Sequence, residues 1–296
     1  MKRTKIVATL GPASLKSGIL EKMLFAGVNV FRVNFSHGEA EENRKTILKV
    51  QAILKKTKRN AAILADLQGP KLRIGNVQDG VFLSPGDLLT FTNKPCNGTR
   101  EKVFMTYDSF PTDVRVGETI LLDDGKLLMR VVSSNSKDEV VAETIQGGPL
   151  KSNKGVNLPN TRVSLPCLTD KDIYDLNVAL EAGVDWVGLS FVRGKQDIKD
   201  LRKIINEKKS SAGIIAKIEK PEAVSDIDAI LEETDAVMVA RGDLGVEVPM
   251  ESVPLIQKMI ISKAISRARP VIVATQMMET MIDSLTPSRA EVNDVS

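Results

Sequence analysis

The sequence predicts an α/β chain of the TIM (β/α)8 barrel class, interrupted by a small all-β domain. Three observations carry this. Mainly apolar runs such as "AAILADL", "DWVGLSFV" and "AVMVARGD" alternate with amphipathic segments of helical period. The runs are apolar on both faces, as a covered parallel sheet requires. Between about residues 71 and 160 the alternation stops, and short β-rich runs split by "SPGD", "DDGK", "SSNSKD" and "QGGP" replace it.

Element by element, "KIVATL" is strand one, and "LKSGILEKMLFAG" is a helix ended by Gly27. "NVFRVNF" is strand two. The helix in "EAEENRKTILKVQAILKKT" has acids in its first turn and lysines in its last, which matches the helix dipole. "AAILADL" is strand three. Within the β-rich part, "TILLDDGKLLMRVV" reads as a hairpin around Asp124-Gly125. Alternation resumes with "TDKDIYDLNVALEAG", a helix with Thr169 as N-cap and Asp172 three residues on. "DWVGLSFV", "GIIAKIE", "AVMVARGD" and "PVIVATQ" follow as strands four to seven. Their helices are "KQDIKDLRKIINEKK", "PEAVSDIDAILEET" and "VPMESVPLIQKMIISKAISRA", and a last helical stretch runs from "ETMIDS" to the end. The expected organisation is 1–70 as the first part of the barrel, 71–160 as the insertion after strand three, and 161–296 as the second part. The count stops one short of the eight units of a TIM barrel, so the eighth is expected to be absent and the chain a fragment. A doubly wound open sheet competes, weakened by the lack of a G-x-G-x-x-G after strand one.

Composition narrows the function. Of 296 residues, 42% are hydrophobic and 27% charged, with signs interspersed and a net charge of +3. That balance, with 4% aromatic residues, offers neither a basic surface nor a stacking platform for nucleic acid. No apolar run approaches a membrane span, and the apolar stretch behind the basic start is too short for a signal peptide. Cys96 and Cys167 stand far apart without metal-ligand spacing, which suits a reducing, cytoplasmic setting.

In such barrels the chemistry lies at the C-terminal strand ends. Those ends offer Arg32, Asn34 and Ser36 in "FRVNFSHG", Asp66, Lys71 and Arg73 in "ADLQGPKLR", and Lys217 and Glu219 in "IIAKIEKPE". They also offer Arg241, Gly242 and Asp243 in "ARGDLG", and Thr275 and Gln276 in "ATQMMET". Alternation along a strand puts Lys217 and Glu219 on one face, and Arg32, Asn34 and Ser36 on another if that strand stays extended. Two acids can supply hard oxygen ligands to Mg²⁺, which keeps its other positions for water or substrate oxygens. Cations nearby suit phosphate or carboxylate, and the mixture is what phosphoryl transfer needs. Plainer readings stand beside these. Lys217 and Glu219 also read as a structural ion pair, Asn34 and Ser36 as helix caps, and "RGD" as a turn. His37, the single histidine, reads as a capping or solvent-facing residue.

Taken in order, "KIVATLGPAS", "FRVNFSHG", "ADLQGPKLRIG", "NKGVNLP", "IIAKIEKPE", "MVARGDLGVE" and "VIVATQMMETM" resemble pyruvate kinase along the whole chain. The resemblance implies phosphoryl transfer from phosphoenolpyruvate to ADP, giving pyruvate and ATP in glycolysis. It implies Glu219 and Asp243 as ligands of Mg²⁺, with Mn²⁺ as an alternative, and Lys217 as stabiliser of the phosphoryl group in the transition state. Arg32 would bind the substrate phosphate. Gly242, Asp243 and Thr275 would hold its carboxylate end, with Thr275 near the proton path. Asn34, His37, Arg73 and Lys154 would lie along the nucleotide phosphates, and the insertion would swing as a lid. In K⁺-requiring members, residues matching Asn34, Ser36, Asp66 and the next position hold the ion. Here that next position is Leu67, which could offer its backbone carbonyl. Those members carry glutamate where this chain has Lys71, so Lys71 is expected to substitute for K⁺. The full-length protein is implied to be a homotetramer. Two other readings are a Mg²⁺-dependent oxo-acid lyase or aldolase on a related barrel, and a catalytically inert fragment.

Overall fold

The computed structural model describes residues 4–295. Two compact units divide the chain: one runs up to Pro70, through Cys167–Ala240 and on from Ile256, and the other holds Lys71–Pro166 with Arg241–Leu255.

The first unit opens with β1 (Val7–Thr9), β2 (Val30–Asn34) and β3 (Ala62–Asp66). Helices Ile19–Ala26 and Ala40–Thr57 connect them. The first stops at Gly27, whose φ of 108° is open to glycine without strain. The chain then builds the second unit from β4 (Phe82–Leu83), β5 (Leu88–Thr92), β6 (Lys102–Phe104), β7 (Thr119–Leu122), β8 (Leu127–Ser134), β9 (Glu139–Gln146), β10 (Gly148–Pro149) and β11 (Val156–Asn157). It returns to the first unit with β12 (Trp186–Leu189), β13 (Gly213–Ile218), β14 (Ala236–Ala240) and β15 (Val271–Ala274). Strands β1-β2-β3-β12-β13-β14-β15 form one seven-stranded parallel sheet in that order. This is an α/β barrel-type sheet, each strand beside its predecessor in the unit.

The two faces of this sheet differ. Phe31, Val33, Ile63, Ala65, Val187, Ile214, Ala216, Val237 and Val239 pack against helix residues such as Leu20, Ile47, Leu176, Ile198 and Ile230. The alternate residues make a smaller cluster of their own: Leu64, Ile215, Ala236 and Met238, with Val30, Trp186 and Ile272 against them. Period-two alternation then fixes what comes next on this inner face. After Val30 comes Arg32, after Leu64 comes Asp66, and after Ile215 comes Lys217. The inner face is apolar at the strand starts and charged at their C-terminal ends.

The second unit is built around a six-stranded sheet, order β11-β7-β8-β9-β5-β6, antiparallel except for β5 with β6. Its core includes Ile74, Leu83, Leu89, Val103 and Tyr107, with Phe91 edge-on to Phe110 at 5.8 Å. The "DDGK" turn joins β7 to β8 with Asp123, Asp124 and Gly125 all at positive φ.

Several expectations need correction. Helix Phe110–Asp113 lies in the stretch expected to have none; four residues are too few to show a helical period. Strand six stops at Ala240, and "RGDLGVE" is the helix Arg241–Glu247, which buries Leu244 and Glu247 one turn apart. The helix expected over "PEAVSDIDAILEET" breaks at Asp226 into Pro221–Ser225 and Ile227–Glu233; the Asp226 carboxylate accepts from the Lys195 N–H at 3.1 Å. The stretch from "ETMIDS" onward is a 3₁₀ turn Glu279–Ile282, then a break carrying Pro287, then helix Arg289–Val295. Glu291 spans that break by accepting from the Thr280 and Ser288 N–H groups, each at 2.7 Å. No helix among the described residues is long and apolar enough to cross a membrane.

Candidate active site

Four ionisable side chains meet on the inner face at the ends of β2, β3 and β13. Asp66, the last residue of β3, is 1% exposed and stands at the centre. One of its oxygens takes the Arg32 guanidinium, with Nε at 2.6 Å and a second contact from Nη2. Its other oxygen, Oδ1, faces Lys217 Nζ at 3.3 Å but receives no hydrogen bond. Arg32 is also braced through Nη1 on the Thr9 hydroxyl at 2.8 Å. Gly188 leaves room for this centre: a Cβ there would stand 2.9 Å from Asp66 Oδ1.

Lys217 Nζ lies 2.9 Å from Glu219 Oε1 and donates to Ser190 Oγ at 2.7 Å. Glu219 is 1% exposed, and its other oxygen accepts from the Phe191 N–H at 2.7 Å. Burial by itself would push the Lys217 pKa down. The Glu219 and Asp66 carboxylates outweigh it, and the pKa is raised, so the ammonium stays charged. Buried ions cost several kcal/mol each unless paired and hydrogen-bonded. Here two cations meet two anions, and the Thr9 and Ser190 hydroxyls and the Phe191 amide bond to them as well.

The remaining predicted residues fall elsewhere. Asn34 ends β2 beside Asp66 in register. Ser36 does not continue that strand: it sits in a turn, its N–H bound to Asn34 Oδ1 at 3.1 Å. A side-chain amide that bonds its own backbone two residues on favours such a turn. His37 closes the same turn through its backbone, its carbonyl accepting from Asn43 Nδ2 at 3.2 Å. The Leu67 carbonyl accepts from Ser190 Oγ at 2.7 Å. Thr275 directly follows β15, exposed, at a φ of 71°.

In the second unit, Arg73 donates from Nη1 to the Asn153 carbonyl at 2.9 Å. Lys154 pairs with Asp123 at 2.8 Å; that contact, with Lys126, holds the Asp123 carboxyl below its usual range. Lys71 is half-buried. Gly242 and Asp243 occupy the first turn of helix Arg241–Glu247, exposed and half-buried respectively.

Ser190, Phe191 and Thr9 belong to the charged cluster and were not singled out from sequence. Ser190 directly follows β12, so the strand-end rule that selects Asp66 selects it as well. Thr9 ends β1, so the same rule reaches it, whereas the Phe191 backbone amide leaves no trace in a residue type.

As chemistry, the cluster offers two cations held in place by buried carboxylates. Glu219 fits a Mg²⁺ ligand by type: a hard carboxylate, with lone pairs beyond the two contacts described. Asp66 Oδ1 is a second buried oxygen without a hydrogen bond.

Comparison with known proteins assigns the family. A sequence model described as "Pyruvate kinase, barrel domain" matches residues 1–296. Over 296 residues the chain is 46% identical to pyruvate kinase of Corynebacterium glutamicum and 43% identical to that of Mycobacterium tuberculosis, covering 100% of this chain and 62% of each relative. It is 46% identical to pyruvate kinase 2 of Synechocystis sp., covering 51% of that protein. The structure of a pyruvate kinase from Cryptosporidium parvum superposes with a TM-score of 0.92 at 36% identity, over 99% of this chain and 61% of that one. The chain thus spans between half and two-thirds of the length of these relatives. With the match running from first residue to last, the chain belongs to the pyruvate kinase family.

Proposed function

We propose that the protein transfers the phosphoryl group of phosphoenolpyruvate to ADP, giving pyruvate and ATP in glycolysis. The observation that supports this most is the Arg32–Asp66–Lys217–Glu219 cluster, buried at all but Arg32, within a family match that covers the whole chain. Phosphoryl transfer asks mainly for positioning and for neutralising charge on the moving group. Arg32 binds the substrate phosphate, held by Asp66 and Thr9. Lys217 turns an N–H toward the phosphoryl oxygens, and its charge is permanent at working pH. Gly242, Asp243 and Thr275 hold the carboxylate end of the substrate, and Asn34, His37, Arg73 and Lys154 line the nucleotide phosphates.

Glu219 and Asp243 would hold Mg²⁺, or Mn²⁺ in its place; the bound ion supplies Lewis-acid stabilisation of the substrate oxygens. The fold we propose is a (β/α)8 barrel, seven of whose strands lie among the described residues, formed by 1–70 and 161–296 with residues 71–160 inserted after β3. The insertion acts as a lid that excludes water and so protects the phosphoryl group from hydrolysis. The full-length protein is a cytoplasmic homotetramer in this reading.

The test is pyruvate formation from phosphoenolpyruvate and ADP by the full-length protein, with and without Mg²⁺. Mg²⁺-dependent turnover is expected. Its absence, with the protein folded, would overturn the assignment.

Lys71 carries a second expectation, because an ammonium can supply the positive charge a monovalent ion brings. Turnover is expected to be equal with K⁺ and with a large organic cation in its place. Lys71→Glu should then lose at least about tenfold without K⁺ and regain it with K⁺, on the scale of one removed charge contact. Equal rates in both buffers for that variant would discard the idea.

A further inference from the structure

Ser190 is buried, polar and directly bonded to Lys217, yet has no part in the reaction described so far. We infer that Ser190 is a positioning residue for Lys217, and that the Ser190-Phe191 turn holds the Lys217–Glu219 pair in the geometry phosphoryl transfer requires. This rests on the proposed phosphotransfer activity.

The argument begins with one proton. A serine hydroxyl has a single hydrogen. Ser190 Oγ donates it to the Leu67 carbonyl at 2.7 Å, so toward Lys217 Nζ, also at 2.7 Å, it can only accept. The polarity of the contact is fixed, and one N–H of the ammonium is fixed with it. Ser190 is itself 2% exposed. Its carbonyl accepts from Cys167 Sγ at 3.0 Å. The next residue, Phe191, lies at a φ of 56° and donates its N–H to Glu219 at 2.7 Å. One two-residue turn thus grips both members of the pair, the cation by a hydroxyl and the anion by an amide. A Cβ on Gly69 would stand 2.7 Å from the Phe191 ring and 3.1 Å from Ser190 Cβ, so the turn is packed close on its other side.

The alternative position of the ammonium is also visible. Asp66 Oδ1, 3.3 Å from Nζ, lacks a hydrogen bond. Remove the Ser190 acceptor, and Lys217 has an unsatisfied N–H beside a carboxylate oxygen in need of one. The ammonium then turns toward Asp66 and away from a bound phosphoryl group. Binding of the substrate through Arg32 is left intact, while the transition state loses part of its countercharge.

The experiment is a double-mutant cycle on the full-length protein, read as kcat and KM for phosphoenolpyruvate. Ser190→Ala should lower kcat about 30-fold, which is about 2 kcal/mol of barrier, with KM changed by less than about threefold. In a Lys217→Arg background, the same substitution should change kcat by less than about threefold, because the group it positions is gone. Ser190→Thr, which keeps the hydroxyl, should recover most of the rate. A merely structural serine would give the same factor in both backgrounds, and that result would overturn the inference even if the threonine variant failed to fold. The wild-type rate separates the two levels. Turnover by wild type with normal kcat in Ser190→Ala removes the role of Ser190 alone. No turnover by folded wild type removes the phosphotransfer reading and this inference together.

Discussion

Lys217→Met is expected to lower kcat for pyruvate formation by at least about a thousandfold, the scale on which a preorganised charge contact to a transition state is lost. Folding stability should also fall, by about 3 kcal/mol, because the ammonium 2.9 Å from Glu219 is removed while Glu219 stays 1% exposed. The two effects can be separated. Lys217→Met with Glu219→Gln removes both charges of the pair, and Arg32 still neutralises Asp66. That double variant should recover most of the lost Tm and none of the lost kcat. A kcat within tenfold of wild type in Lys217→Met would remove the assigned role. Recovery of kcat in the double variant would show that the single variant had only misfolded. The pKa of Lys217 is raised above its ordinary 10.5 by Glu219 and Asp66, against burial. A raised pKa gives stability that is complete below the unfolded value and fades only as pH rises through the folded one. The contribution of Lys217 is therefore constant through neutral pH, and no limb of a pH–rate profile in that range belongs to it.

The legible and the illegible parts of this chain divide along sequence distance. The seven apolar runs are the seven strands of the parallel sheet, because burial on both faces and strand-helix alternation are local signals. The approach of Lys217 to Glu219 was predictable from a spacing of two alone. That Asp66 should bridge Arg32 and Lys217 was not: the partners are 34 and 151 residues away in sequence, and only strand order brings them together. The strand-end rule selects Asp66 without saying what it touches. It reaches Ser190 too, but the neighbours in "GLSFVRG" are apolar or small and suggest packing instead of a polar role. Local chemistry also misled. "RGD" after an apolar strand reads as a turn with two glycines close by, yet Leu244 and Glu247 are buried one turn apart and the segment is helical. The expected extension of β2 to Ser36 failed because the Asn34 side chain offers the backbone a turn instead of another strand residue.

Asp172→Ala is expected to cost about 3–4 kcal/mol of stability, the largest loss for any single carboxylate away from the charged cluster. The sequence marked Asp172 only as the third residue of a capping box, and that much is present: its carboxylate accepts from the Thr169 N–H at 3.0 Å and hydroxyl at 2.5 Å, while its own N–H donates to the Thr169 hydroxyl at 3.1 Å. A lost cap costs about 1 kcal/mol. The greater part of the loss comes from a contact 103 residues away. Asp172 Oδ1 accepts from the Gly69 N–H at 2.9 Å, and Asp172 is 0% exposed. Gly69 lies just before the chain leaves the first unit, and Thr169 just after it returns. One carboxylate therefore ties down both crossings. Alanine would leave the buried Gly69 N–H without an acceptor, at about 1–3 kcal/mol for a group that water cannot reach, and would strip the half-buried Thr169 donors of theirs at a smaller cost. Asp172→Asn should fall between wild type and alanine, since an amide can keep the Gly69 bond but presents a donor where Thr169 also donates. Denaturant unfolding measures the total. Hydrogen exchange locates it: faster exchange confined to residues 67–70 and 167–170 is expected well below the unfolding midpoint, with β13 and β14 still protected. Uniform loss of protection across the sheet would instead mean that Asp172 contributes to the whole core and does not fasten the crossings.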